Sequence, residues 1–308
     1  MQPRQAAAVF TAGPAAPLGP ILQHLRSEPS RTWSIVITVF GDAVVPRGDS
    51  LWLGSLLALF TGMEVGGGVV RTAMSRLAAD GWLQRSRVGR NSFYKLTDKG
   101  RASFAVAAER IYGEPPGEWD GRFHLVLAGR GADPDAAQAA LRSAGFGNAA
   151  TGVWIAPLST PMPSDAESLL RLEGSADLET GRLLAEQAWP LAQTAEAYAR
   201  FVAAFAPLRD WIAAGGELSD LDALVARILL VHEYRRVILS DPLLPLPLLP
   251  QGWPGITARQ LCSEIYKALL PPSERWLDQN GRDEDGALPP PATDLWLRFG
   301  PPPPRPGA

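Results

Sequence analysis

Apolar side chains recur at Val70, Ala73, Met74, Leu77 and Ala78. That i, i+3, i+4, i+7, i+8 spacing gathers one face of an α-helix into a buried stripe. The pattern predicts a helix over about 69–80. Its opposite face carries Arg71, Thr72, Ser75, Arg76 and Ala79, and Gly81 is placed to end it in a left-handed conformation. The preceding "SLWLGSLLALFTGM" is apolar nearly all round, which predicts a buried helix starting behind Ser50 as N-cap. Gly66, Gly67 and Gly68 interrupt the two. Beyond them, "WLQRSR" and "SFYKLT" predict short strands around the turn "VGRN", and Thr97 can cap a helix in "ASFAVAAERIYG".

The pattern changes after Pro115, Pro116 and Gly117. "GRFHLVLAG" alternates as a strand, "DPDAAQAALRSAGFG" is a helix ending in glycines, and "TGVWIAPL" is a second strand. "SLLRLEG" is a third strand and "LETGRLLAEQAW" a second helix. This β-α-β-β-α order points to a small ferredoxin-like α+β domain. Residues 190–239 are helical in two long segments. "DPLLPLPLLPQGWPG" is excluded from helix and central strand by its prolines, and its leucines predict an extended segment laid over an apolar groove. "TARQLCSEIYKALLP" returns to helix. The fold class expected is multidomain α+β. It comprises a flexible leader (1–30), a winged helix-turn-helix (31–113), a ferredoxin-like middle domain (118–190), a helical C-terminal domain (191–278) and a mobile proline-rich tail (279–308).

Charge sharpens this picture. Between positions 71 and 101 stand eight Lys or Arg and two Asp, leaving twenty-one basic and thirty acidic residues elsewhere. A patch of net +6 on a body of about −9 is an electrostatic footprint for a polyanion. Helix, helix, helix and basic hairpin is the order of a winged helix-turn-helix, in which one helix enters the major groove. Arg71, Thr72, Ser75 and Arg76 on the helix, with Arg85, Arg87 and Arg90 on the hairpin, are therefore the candidate DNA contacts. Small and basic residues on an exposed face approach phosphates and base edges without bulk in the way. Lys95 and Lys99 fit surface charge as well as they fit contact.

Other chemistry finds little support. One cysteine, Cys262, excludes an intramolecular disulfide and fits a reducing cytoplasm. No signal peptide or bilayer-length apolar run is present, so no membrane partner is expected. "HEYRR" (232–236) lacks the second histidine four residues on that a zinc helix needs. Its His232, Arg235 and Arg236 fit buried polar contacts, or an anion site in which arginine meets a phosphate or carboxylate. His124 and Cys262 fit structural positions. "GDAVVPRG" lacks the lysine and hydroxyl of a phosphate-binding loop. No catalytic residue, metal site or cofactor is expected.

The blocks "ITVFGDAVVPRG", "WLGSLLALF", "VRTAMSRLAADGWLQRSRVGRNSFYKLTDKG", "WDGRFHLVL", "LLVHEYRRVILSDPLLPLPLLPQGWPG" and "IYKALL" occur in order over about residues 30–272. Together they resemble the PaaX-type transcriptional repressors of phenylacetate catabolism. The resemblance implies a cytoplasmic, winged-helix repressor of an aromatic-acid operon. It also implies a middle domain similar to the CRISPR-associated ferredoxin-like nucleases, and release from DNA by an aryl-CoA thioester such as phenylacetyl-CoA. Gly66, Gly67 and Gly68 depart from the larger polar residues expected in relatives. A single recognition helix reads few base pairs, so a homodimer on an inverted repeat of double-stranded operator DNA is expected. For the effector, Arg235 and Arg236 beside the leucine-rich run are the candidates. The alternative is a metal-dependent nuclease using the middle domain with the winged helix as its tether. That reading needs an acidic residue at a strand end, whereas Asp120 precedes its strand.

Overall fold

A computed structural model describes residues 17–27, 32–128, 134–166 and 169–300. Positions 1–16 of the expected leader and the final "PPPPRPGA" lie outside the described residues. Along the chain come α1 (Leu18–Ser27), α2 (Thr32–Val39), β1 (Ser50–Trp52), α3 (Leu53–Gly62), α4 (Gly67–Ala79), β2 (Leu83–Val88), β3 (Asn91–Leu96) and α5 (Asp98–Tyr112). Then follow β4 (Arg122–Leu127), α6 (Pro134–Ser143), β5 (Gly147–Ala150), β6 (Val153–Pro157), β7 (Leu170–Ser175) and α7 (Leu178–Ala188). The remainder is α8 (Leu191–Ala213), α9 (Asp220–Ile238), α10 (Pro254–Asn280) and a short hairpin, β8 (Arg282–Asp283) with β9 (Gly286–Ala287). The protein is a mixed α+β chain of two compact units. One holds residues 17–102, 204–232 and 263–296, the other 103–203, 233–262 and 297–300.

In the first unit a three-stranded antiparallel sheet has the order β1-β3-β2. Ser50 is not the N-cap expected from sequence. It is the first residue of β1, paired with Lys95, and α3 starts three residues later without a side-chain cap. A three-residue strand is defined by its partner, here some 45 positions away, and leaves little local signal. In the stretch expected as leader, α1 buries Leu18, Ile21 and Leu22. The residues between α3 and α4 close α3 with a Schellman turn: Val65 N–H donates to the Phe60 carbonyl at 3.0 Å and Glu64 N–H to that of Thr61 at 3.0 Å. Glu64 takes φ 58° at the position where glycine costs least. Glu64→Gly is expected to raise stability by about 1 kcal/mol. A urea titration showing an unchanged or lower midpoint would mean that the Glu64 side chain outweighs the strain.

The polar core of this unit is built on "GDAVVPRG". α2 runs into a π-helical turn, Phe40–Val44, and a 3-10 turn, Val45–Arg47. These carry Asp42 and Arg47 inward, to 1% exposure each. Arg227 of α9 pairs with Asp42 at 2.7 Å and with Glu274 of α10 at 2.5 Å. Arg47 pairs with the other oxygen of Glu274 at 2.6 Å and with Asp278 at 2.9 Å. Tyr266 donates to Asp42 at 3.0 Å. Burial opposes the charge on Arg227, but Asp42, Tyr266 and Glu274 outweigh it and hold the guanidinium above its ordinary pKa. His232 is fully buried with Nδ1 at 3.1 Å from Thr38 Oγ1, the buried polar contact that sequence allowed for it.

In the second unit a four-stranded antiparallel sheet has the order β5-β6-β4-β7. β4, β6 and β7 are strands expected from the sequence, whereas β5 is not, because its "GNAA" carries no alternating apolar signal. Among the described residues between β6 and β7 the one regular element is a 3-10 turn, Ser164–Ala166. Val126, Leu141, Phe146, Trp154 and Ala156 form a core on one face. His124 lies nearly buried in β4, its ring stacked on Phe146. The proline-leucine run 241–253 has no regular structure beyond a 3-10 turn at Leu246–Leu248. It buries Leu244, Leu248, Leu249 and Trp253.

Candidate nucleic-acid interface

α4 sorts its residues as its periodicity requires. Val70, Ala73, Met74 and Leu77 are buried and Ala78 is half-buried, while Arg71, Thr72, Ser75, Arg76 and Ala79 are exposed. The helix starts two residues earlier than the pattern suggested, with Gly66 as N-cap and Gly67 and Gly68 in the first turn. These glycines have a steric consequence. Helical side chains lean toward the N-terminus, and a Cβ on Gly67 would stand 3.2 Å from Arg71 Nη1. The bare first turn thus lets the Arg71 guanidinium lie back beside backbone N–H groups that have no intrahelical acceptor. Cation and helix N-terminus attract the same anion. At the far end Gly81 takes φ 72° and Trp82 N–H donates to the Leu77 carbonyl at 2.9 Å, the left-handed stop that sequence predicted.

β2 and β3 pair from Leu83↔Leu96 to Val88↔Asn91, leaving a two-residue turn of Gly89 and Arg90. Gly89 has φ 61°, which a β-carbon would strain. β2 is exposed at every position after Leu83. Arg85 and Arg87 therefore stand on a two-stranded arm, with Arg90 at its tip. Arg85 donates to Ser92 Oγ at 2.8 Å. Arg71, Arg87 and Arg90 have no ion-pair partner among the described residues.

Arg76, Lys99 and Arg101 are occupied. Arg76 lies 3.6 Å from Asp80, with its guanidinium 5.9 Å from the Trp33 ring centre. Lys99 donates to the Asp80 carbonyl at 3.2 Å and lies over Trp82. Arg101 pairs with Asp49 at 3.2 Å and with Asp98. Of the eight basic residues in this stretch, Lys99 and Arg101 thus tie α5 to its surroundings. Sequence reasoning missed Glu284, in the turn between β8 and β9. Its carboxylate accepts from Ser50 at 2.5 Å and Ser86 at 2.6 Å across the three-stranded sheet. Partial burial pushes its pKa up, but the two hydroxyls and Lys95 prevail and hold it below the usual carboxylate range.

The two effector candidates differ in their surroundings. Arg236 is exposed and held by Glu233 at 3.0 Å, whereas Arg235 is half-buried near Tyr112, and its burial lowers its pKa. Past the end of α9, the Asp241 carboxylate accepts from Tyr198 at 2.6 Å and its carbonyl accepts from Arg110 at 2.5 Å. Burial raises the Asp241 pKa against those bonds. Asp120 accepts from Arg122 ahead of β4. Among the described residues no group of three or more His, Cys, Asp and Glu side chains could hold a metal, and no helix is long and apolar enough to cross a membrane.

The chain is thus a mixed α+β protein with an exposed basic helix and arm, and its family follows from its relatives. Residues 31–100 match the model of the PaaX-like protein family, and residues 189–279 that of the PaaX-like protein C-terminal domain. The chain is 36% identical over 302 residues to the transcriptional repressor PaaX of Escherichia coli strain K12, covering 92% of this chain and 95% of that protein. The chain belongs to the PaaX-like family. Among solved structures it is similar to the uncharacterized protein Rv0674 of Mycobacterium tuberculosis, with a TM-score of 0.54 and 25% identity over 79% of this chain and 97% of that one.

Proposed function

We propose that this protein is a cytoplasmic transcriptional repressor of a phenylacetate-type catabolic operon, not an enzyme, and that an aryl-CoA thioester releases it from its operator. The observation that carries the reading is the exposed α4 face, Arg71, Thr72, Ser75 and Arg76, beside a basic arm in a member of the PaaX-like family. α4 enters the major groove, its Arg71 and Arg76 serving base edges and phosphates. The β2–β3 arm follows the backbone beside it. The order of α2, α3, α4, β2 and β3, with β1 as third strand, supports a winged helix-turn-helix over 31–113. The strand order β5-β6-β4-β7 supports a ferredoxin-like middle domain over 118–190, with a 3-10 turn in place of one crossover helix. A helical domain over 191–278 completes the chain. It acts as a homodimer, pairing two recognition helices on an inverted repeat.

The direct test is a gel shift on the protein's neighbouring promoters with phenylacetyl-CoA and free CoA. A hundredfold loss of operator affinity requires about 2.7 kcal/mol of coupling, and operator DNA must then weaken ligand binding by the same factor. Intact, shifted DNA released by the thioester alone is the expected result. DNA that is never shifted removes the repressor reading, and binding indifferent to the thioester removes the effector.

The arm has its own signature. Arg87 and Arg90 contact the backbone, so replacing both with Ala should weaken every DNA sequence alike. The slope of log affinity against log salt should become shallower by about 1 for each phosphate no longer neutralised. An altered sequence preference at constant slope would move these residues to base readout.

A further inference from the structure

Phe299 sits where a core phenylalanine is rarely found. It is delivered by a short terminal segment, with Leu297 68% exposed just before it, yet it is itself only 7% exposed. Its backbone holds φ 63°, and Gly300 follows at φ 75°. A left-handed conformation costs a non-glycine residue about 1–2 kcal/mol and persists where the surroundings over-determine it. Here the surroundings are an aromatic cage with cationic walls. The Phe299 ring meets Tyr112 edge-on at 5.2 Å and Tyr234 at 6.1 Å. The Arg259 guanidinium lies 5.5 Å from its centre, and that of Arg298 lies 4.3 Å from the Tyr112 ring. Arg259 is anchored on the Tyr112 carbonyl at 3.3 Å, and Arg235 stands near the same tyrosine.

We infer that this cage is a binding site for an aromatic ring bearing an anionic group, and that Phe299 is its resident occupant, displaced when the ligand enters. Tyr112 and Tyr234 present an edge and a tilted face to a flat ring. Arg259 lies over that ring and is anchored on the Tyr112 carbonyl, so it stays in the site and attracts negative charge on the ligand beyond the ring. Phe299 supplies the ring but no anion, and its backbone is strained. It is an occupant that a better ligand can replace. The cage stands on its own geometry; naming the ligand as an aryl-CoA rests on the proposed function above.

Competition by an internal occupant reduces apparent affinity by the fraction of open sites. Phenylacetyl-CoA should therefore bind Phe299→Ala about tenfold more tightly than it binds the unaltered chain, by calorimetry. Phe299→Leu, which keeps bulk in the cage, should fall between. Displacement also lifts Arg298 off the Tyr112 ring, so the ligand should accelerate tryptic cleavage after that residue in the unaltered chain, read by mass spectrometry. Free CoA, lacking the ring, should not. Thioester binding of equal strength in all three proteins, without faster cleavage at Arg298, overturns the cage while leaving the effector in place. Thioester binding to none of them, with all three folded by circular dichroism, overturns both.

Discussion

Arg227→Met is expected to destabilise the folded chain by about 3–5 kcal/mol, the scale of breaking a buried ion pair from one side. Arg227 is fully buried, and its guanidinium reaches the Asp42 carboxylate, the Asp42 carbonyl at 3.0 Å and Glu274, while lying over the Tyr266 ring at 5.1 Å. Methionine replaces part of the apolar stem but none of the charge. Glu274 keeps Arg47, so its loss is partial. Asp42 keeps the Tyr266 hydroxyl, a neutral donor, and a buried carboxylate deprived of its guanidinium is the dominant cost. Adding Asp42→Asn to Arg227→Met should therefore recover more than half of the lost stability in urea or thermal unfolding. A single variant within 1 kcal/mol of the parent, or a double variant no better than the single, would show that the network is less tightly coupled than its distances imply.

Replacing Arg71 and Arg76 together with Ala is expected to lower operator affinity by about 1–3 kcal/mol for each base edge no longer read, and to reduce discrimination against unrelated DNA. Arg71 should carry the larger share. It has no ion-pair partner among the described residues, whereas Arg76 already gives part of its attraction to Asp80 and Trp33. Both side chains are exposed, so the unfolding free energy should change by no more than about 0.5 kcal/mol. Gel shifts with operator and scrambled duplexes at two salt concentrations separate affinity from specificity. Unchanged operator affinity in the double variant would remove α4 from the recognition role.

What sequence by itself determined is local. The stripe of α4 was legible because a 3.6-residue period shows within four turns, and the exposed basic face followed as its complement. Gly81 and Gly89 announced a helix stop and a hairpin turn, because a left-handed backbone selects glycine whatever surrounds it. Thr97 announced its cap, accepting from Gly100 N–H at 3.1 Å. The proline-leucine run was legible because proline excludes helix and central strand. Only the tertiary structure decided the rest. Ser50 became a strand residue by pairing with β3, and "GNAA" became β5 by pairing with β6. The charged residues of "GDAVVPRG", read only as a failed phosphate loop, found partners on α9 and α10 more than 180 positions away. Glu284 reached Ser86 across 198 positions, and Phe299 reached Tyr112 and Tyr234. A backbone preference is a property of a few adjacent residues, so it is written in their order. A buried charge or an inserted ring takes its meaning from whichever groups the fold brings to it, and their identity is fixed only when the chain has closed.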